Sequence, residues 1–196
     1  MFNQVYMKYG IALLCSWLLV SSGCLKTRAD EELQSPVQQP SVQQHSADEG
    51  KEIPVSGDTF LCLEKMHPVR GFFVDNLLGN LDATVAAAMQ QEGAPYPPGS
   101  IVQLIPSEVM VKHRTGWSAK TNDWEFFELD VSEVGSKIKT RGTTQVKNKF
   151  GGSCFECHRK AEPQWDFICE EGHGCDPLPI PDVLIRMIQR GDPRCE

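Results

Sequence analysis

The sequence has no apolar run long enough to cross a bilayer, no excess of positive charge, no phosphate-binding loop, no serine-hydrolase elbow and no internal repeat. Each absence removes a class. A spanning helix needs about 20 mostly apolar residues, and the run from Ile11 to Val20 is roughly half that. Lys and Arg number 19 against 26 Asp and Glu, for a net charge of -7 at pH 7. Such a surface repels a phosphate backbone, so no nucleic-acid partner is expected. Without repeats there is no solenoid. Hydrophobic residues at 40% and charged residues at 23% are ordinary for a globular chain. The excess lies in cysteine. There are 8 in 196 residues, too many for a reducing compartment unless metal or covalent chemistry uses them.

The N-terminal segment reads as an address rather than a fold element. Lys8 precedes the apolar run, which ends in Ser21-Ser22-Gly23-Cys24. This pattern fits an export signal over residues 1–23. Small residues before a cysteine resemble a bacterial lipobox, which would make Cys24 the acylated first residue of the mature chain; ordinary signal cleavage and an uncleaved anchor are the alternatives. Leu25 follows Cys24 where an inner-membrane retention signal would have Asp, which favours the outer membrane. The expected location is the periplasmic face of a bacterial cell envelope, with the membrane reached through the lipid anchor. Residues 24–58 are rich in Gln, Pro and Ser and read as a flexible tether. Residues 59–196 read as the folded domain.

Within that domain the patterning reads as α+β. Val69, Phe72, Phe73, Leu77, Leu78, Leu81, Val85, Ala88 and Met89 recur at helical spacing, which predicts one or two N-terminal helices. Strands are predicted at 101–105, 109–113, 124–131 and 137–146, forming a small antiparallel sheet. A Cys/His segment follows Gly151-Gly152, which reads as slack for a close approach of the chain to a cofactor. The last predicted element is a short helix beginning near Pro181. The architecture expected is N-terminal helices, a small sheet and a C-terminal haem-binding helical segment.

The name of that last segment comes from Cys154-Phe155-Glu156-Cys157-His158. Cys-x-x-Cys-His is the attachment pattern of c-type haem. On a helical turn positions i, i+3 and i+4 share a face. Two thiols can then form thioethers with the haem vinyl groups while the imidazole supplies an axial ligand, which makes His158 the iron-binding residue. Export supports this, because the attachment is made outside the cytoplasm. A rival reading places zinc on Cys154, Cys157, Cys169 and Cys175. Another leaves Cys154 and Cys157 as a simple disulfide.

With Cys15 lost with the signal, Cys24 acylated and two cysteines on haem, Cys62, Cys169, Cys175 and Cys195 remain, and they can pair in three ways. The local loop Cys169–Cys175 is favoured, leaving Cys62–Cys195 to tie the two ends of the domain. For a second axial ligand the sequence offers Met66, His67, Met110, His113, His173 and Met187 without choosing among them.

From about Tyr96 onward the order of features resembles the cytochrome P-four-sixty and cytochrome c′-beta family. The features are Tyr96-Pro97-Pro98-Gly99, then Asn122-Asp123-Trp124-Glu125-Phe126-Phe127, then Cys154 to His158. The resemblance implies thioethers at Cys154 and Cys157 and a proximal ligand at His158. Members that oxidise hydroxylamine cross-link a strand lysine to the haem. That position falls near Gln103 here, with Lys112 on the next strand as a substitute.

Three functions follow. The first is a membrane-anchored monohaem cytochrome that passes electrons to a redox partner protein or binds a small gas. The second is a haem oxidoreductase acting on small nitrogen compounds or peroxide, with Lys112, His113 or Glu108 as acid or base. The third is a non-haem lipoprotein, stabilised by disulfides or zinc, that binds a partner protein.

Overall fold

The computed structural model describes residues 49–195. The signal segment 1–23, Cys24 and most of the expected tether lie outside the described residues. Six strands run in sequential antiparallel order: β1 (His67–Val69), β2 (Phe72–Asn76), β3 (Ser100–Ile105), β4 (Glu108–Lys112), β5 (Trp124–Ser132) and β6 (Gly135–Gly142). Three short helices accompany them: α1 (Leu81–Ala88), α2 (Cys154–His158) and α3 (Asp182–Arg190).

The domain is therefore β-rich, and the α+β expectation is corrected. The helices predicted between residues 69 and 91 are largely a hairpin. Val69 pairs with Phe72 across a turn at Arg70-Gly71, so β1 and β2 occupy the stretch where helical spacing was read. The reason lies in Phe72-Phe73-Val74. This aromatic and β-branched run alternates strictly between buried and half-buried positions, which is the strand period. A two-residue turn inside the window made the spacing look helical. Only α1 remains of the predicted helices, preceded by Asn80. Thr84, on the inner face of α1, is fully buried and bonded to Ser100 Oγ at 2.8 Å and to Asn76 Nδ2 at 2.9 Å.

Nor is the C-terminal end a helical haem-binding segment. The Cys-x-x-Cys-His motif occupies one five-residue turn, α2, and irregular chain follows it. The four predicted strands correspond to β3 to β6, and the terminal helix to α3.

Alternation divides the sheet into two faces. On one, Val74, Val102, Met110 and Phe126 form a continuous row across β2 to β5 by direct pairing. This face packs α1, α2 and the chain around Ile168. On the other, Ile101, Val109, Val111, Phe127 and Leu129 pack against Phe60, Leu63 and Met66. Each fully buried large side chain of this kind contributes about 1.5–3 kcal/mol.

The second face also ties down both ends of the domain. Packing begins before Thr59, since Ile53 is buried and its N–H donates to His113 Nδ1 at 2.8 Å. Asp192 accepts from Leu63 N at 3.0 Å and pairs with Arg194 at 2.7 Å, both side chains being buried. Beside them Cys62 and Cys195 are joined, and Cys169 is joined to Cys175. The two favoured pairings are thus present.

Buried Glu125 completes the second face. Burial alone would raise its carboxyl, but hydrogen bonds from His113 Nε2 and from Arg141, both at 2.7 Å, hold it below the usual carboxylate range.

Two outcomes follow from this face. Replacing Cys62 and Cys195 together with Ala is expected to lower unfolding stability by about 5 kcal/mol in denaturant titration, the loop-entropy value for a separation of 133 residues. Because the Glu125 carboxyl is depressed on folding, its contribution is present above the unfolded carboxylate range and is lost as pH falls through the folded value. Glu125→Gln should therefore flatten the acid side of the stability–pH curve, measured by thermal melts across that range.

Candidate functional site

The motif is held in place from both sides. Upstream, Asn148 Oδ1 accepts from Phe150 N at 3.0 Å and Gly152 N at 2.8 Å, closing a turn in which Gly151 has φ +83°. Left-handed backbone of this kind suits glycine, so Gly151 serves the turn. Lys149 N donates to Glu108 Oε1 at 3.0 Å, which docks the turn onto β4. Ser153 caps α2 by accepting from Glu156 N at 3.3 Å. Cys154 N bonds to Val146 O at 3.1 Å. The turn is thereby pinned over the row containing Met110 and Phe126.

On this turn Cys154 and Cys157 are half-buried free thiols. Burial, and next to it the Glu108 charge, pushes the Cys154 thiol up to about 12. Burial also raises Cys157. Neither environment favours a free thiolate, so the pair is poorly suited to thiol exchange. Cys169 and Cys175 are joined to each other, which leaves Cys154 and Cys157 as the free thiols of the four cysteines offered for zinc.

His158 completes the turn. Its Nδ1–H donates to the Phe167 carbonyl at 2.7 Å, and its ring lies 5.4 Å from that of Phe126. A carbonyl can only accept, so the proton is on Nδ1 and the Nε2 lone pair is available. Burial depresses the imidazole, with the carbonyl bond working in the other direction, so the ring is held neutral. A neutral imidazole with one nitrogen anchored on a backbone carbonyl is the form in which histidine ligates metals.

The Phe167 carbonyl is itself held in an unusual turn. Asp166 has φ 49° and Phe167 φ 68°, positions that cost of order 1–3 kcal/mol each for residues with a Cβ. What enforces them is the Asp166 carboxylate, which is almost fully buried. It accepts from Lys112 Nζ at 2.7 and 2.8 Å, Tyr96 N at 2.7 Å, Asn122 Nδ2 and Trp124 Nε1, while its backbone oxygen takes a second bond from Trp124 Nε1 at 2.8 Å.

Several expected roles change place. Lys112 shares the site's face, but its ammonium is committed to Asp166. His113 lies on the opposite face with both ring nitrogens used. Gln103 also lies there, its Nε2 donating to the Ile105 and Pro106 carbonyls at 3.2 and 2.8 Å. Glu108 remains near Cys154, its carboxyl raised by burial. Among the candidate second ligands, Met66 belongs to the opposite core and His67 is exposed on an edge strand. His173 Nδ1 bonds the Ile168 carbonyl at 2.8 Å beneath the Trp165 ring, and Met187 is exposed on α3. Only Met110 shares the core containing Phe155 and Cys154. The residues that sequence reasoning missed are Asp166 and Phe167. They lie in an aperiodic loop, and Asp166 acts through a charge pair 54 positions away.

Fold and site together define a β-sheet domain that carries one Cys-x-x-Cys-His turn on one face. Compared with protein-family models, curated proteins and solved structures, the chain matches none.

The thiol assignment has a direct check. In the haem-free chain, denatured without reductant, maleimide labelling read by peptide mass spectrometry should mark Cys154 and Cys157 and spare Cys62, Cys169, Cys175 and Cys195. In the native state at pH 7 labelling should be much slower.

Proposed function

We propose that the chain is a monohaem c-type cytochrome, tethered to the bacterial envelope through Cys24, that transfers electrons to a redox partner protein or binds a small gas. The observation that carries this reading is the pairing of two free thiols with an imidazole on one turn, the imidazole tied at Nδ1 and free at Nε2. Cys154 and Cys157 would hold the haem as thioethers, and His158 Nε2 would ligate its iron. The thiol environment fits this chemistry. A thioether carries no charge, so the burial that opposes a thiolate does not oppose it. Phe126, Phe155, Phe167 and Met110 supply apolar surface next to the turn. The bound group would supply the one-electron and ligand-binding chemistry, and the chain supplies attachment, orientation and apolar surroundings.

The same observations weigh against the oxidoreductase reading. Of its three acid–base candidates, Lys112 is tied to Asp166 and His113 is sealed on the far face. Likeness to the P-four-sixty family is retained as part of the proposal for the haem motif alone. Gln103 faces away from the turn and the Lys112 ammonium is engaged, so no lysine cross-link is proposed.

Expression of the full chain with haem-maturation machinery tests the reading. Haem stain should persist on the denatured wild type and disappear from the Cys154→Ala/Cys157→Ala variant. A wild-type chain that leaves maturation colourless refutes the proposal. In the loaded protein, a reduced spectrum that carbon monoxide does not move assigns electron transfer, and one that it shifts assigns gas binding.

A further inference from the structure

We propose that Asp166 and Lys112 are positioning residues for His158, acting through the Phe167 carbonyl; as a role at an iron ligand this rests on the cytochrome reading, but the geometry does not. The chain of contacts is short and continuous. Lys112 Nζ from β4 grips both carboxylate oxygens of Asp166 at 2.7 and 2.8 Å. Tyr96 N and Asn122 Nδ2 hold the same carboxylate from two other loops, and Trp124 Nε1 holds the Asp166 backbone oxygen. With side chain and carbonyl both clamped, Asp166 and Phe167 stay at φ 49° and 68°, and the next carbonyl points at His158 Nδ1 at 2.7 Å.

No other described group is bonded to that ring nitrogen. If the turn relaxed to negative φ the carbonyl would swing away and the imidazole would be free to rotate. A backbone acceptor cannot be removed by a side-chain change at Phe167, so the device is reached only through the clamp. Both members of the ion pair are buried, so the surrounding solvent and salt have little hold on it. The pair therefore sets two properties of His158. It fixes the tautomer, and it sets how strongly Nδ1–H is polarised toward its acceptor, which makes Nε2 a stronger donor to a metal.

The test uses the full chain, made with and without haem maturation. In the haem-free wild type, nitrogen-15 NMR should find His158 protonated on Nδ1, with that proton exchanging about tenfold or more slowly than an exposed imidazole's. Lys112→Met/Asp166→Asn, which removes the ion pair without stranding a charge, should lose the protection, and Lys112→Arg should keep it. Loaded with haem and compared per haem bound, the double variant should show a lower iron–histidine stretching frequency and a higher reduction potential than wild type. Protection that survives in a folded double variant, or is missing from the wild type, overturns the positioning role whether or not haem is attached. Should the double variant fail to fold, the wild-type measurement and the charge-preserving Lys112→Arg variant decide it: protection missing from the wild type, or lost in a folded Lys112→Arg chain, overturns the positioning role. A wild type that keeps the protected proton but takes up no haem overturns the cytochrome reading and leaves the orientation of His158 standing.

Discussion

One carboxylate out of reach of water organises the working face of this domain. Asp166 collects donors from β4, from the loop before β3, from the turn before β5 and from the first residue of β5. A buried charge that loses its partner costs several kcal/mol, far more than the pair adds over an apolar substitute. The contacts therefore form together or not at all. Lys112 is subject to the same constraint. Burial lowers its ammonium below the ordinary lysine range while Asp166 draws it back, and the Trp124 ring lies 5.1 Å away. The loop carrying the single-turn motif's anchor is thus held to the sheet by this charge clamp together with Phe167 and Ile168, which pack in the near-face core.

The two faces divide their tasks. The far face is structural. There Glu125 links His113 to Arg141, and Arg194 bonds Asp192, Ser136 and the Phe60 carbonyl. Both ends of the described domain, the Asp192–Arg194 pair and the Cys62–Cys195 disulfide gather on it. The near face presents its apolar row to the short helices and to the sulfur-bearing turn. Segregation of this kind lets the chemistry-bearing side carry strained backbone, since cohesion is supplied elsewhere.

Local chemistry in the sequence was readable where a few neighbouring residues decide the outcome. Cys154, Cys157 and His158 declare themselves by spacing. Val109 to Lys112 and Trp124 to Val131 declare strands by alternation, and the sequence separation of 6 between Cys169 and Cys175 suits a closed loop. Residues 69 to 78 misled because hydrophobic positions on both sides of a tight turn add up to a helical rhythm. The turn itself is built on Arg70, at φ 47°, where a glycine or asparagine would have signalled it. Arg70 is held there by Glu170 and by the Ala88 carbonyl, contacts 100 and 18 positions away that no window can see. Asp166 escaped for the same reason, because a buried aspartate is known only by its partners. His113 and Lys112, adjacent and both polar, read alike as acid–base candidates. The pleat sends them to opposite faces, and tertiary packing buries each.

The bond between Cys62 and Cys195 spans nearly the whole described chain, with a sequence separation of 133 and 5.0 Å between its α-carbons. Every strand, the sulfur-bearing turn and the clamp around Asp166 lie inside that single covalent ring. A protease that nicked any loop of the ring once would leave one molecule rather than two. The half bearing His158 would stay tethered to the half bearing Lys112, and the broken chain could re-seat without having to find its partner by diffusion.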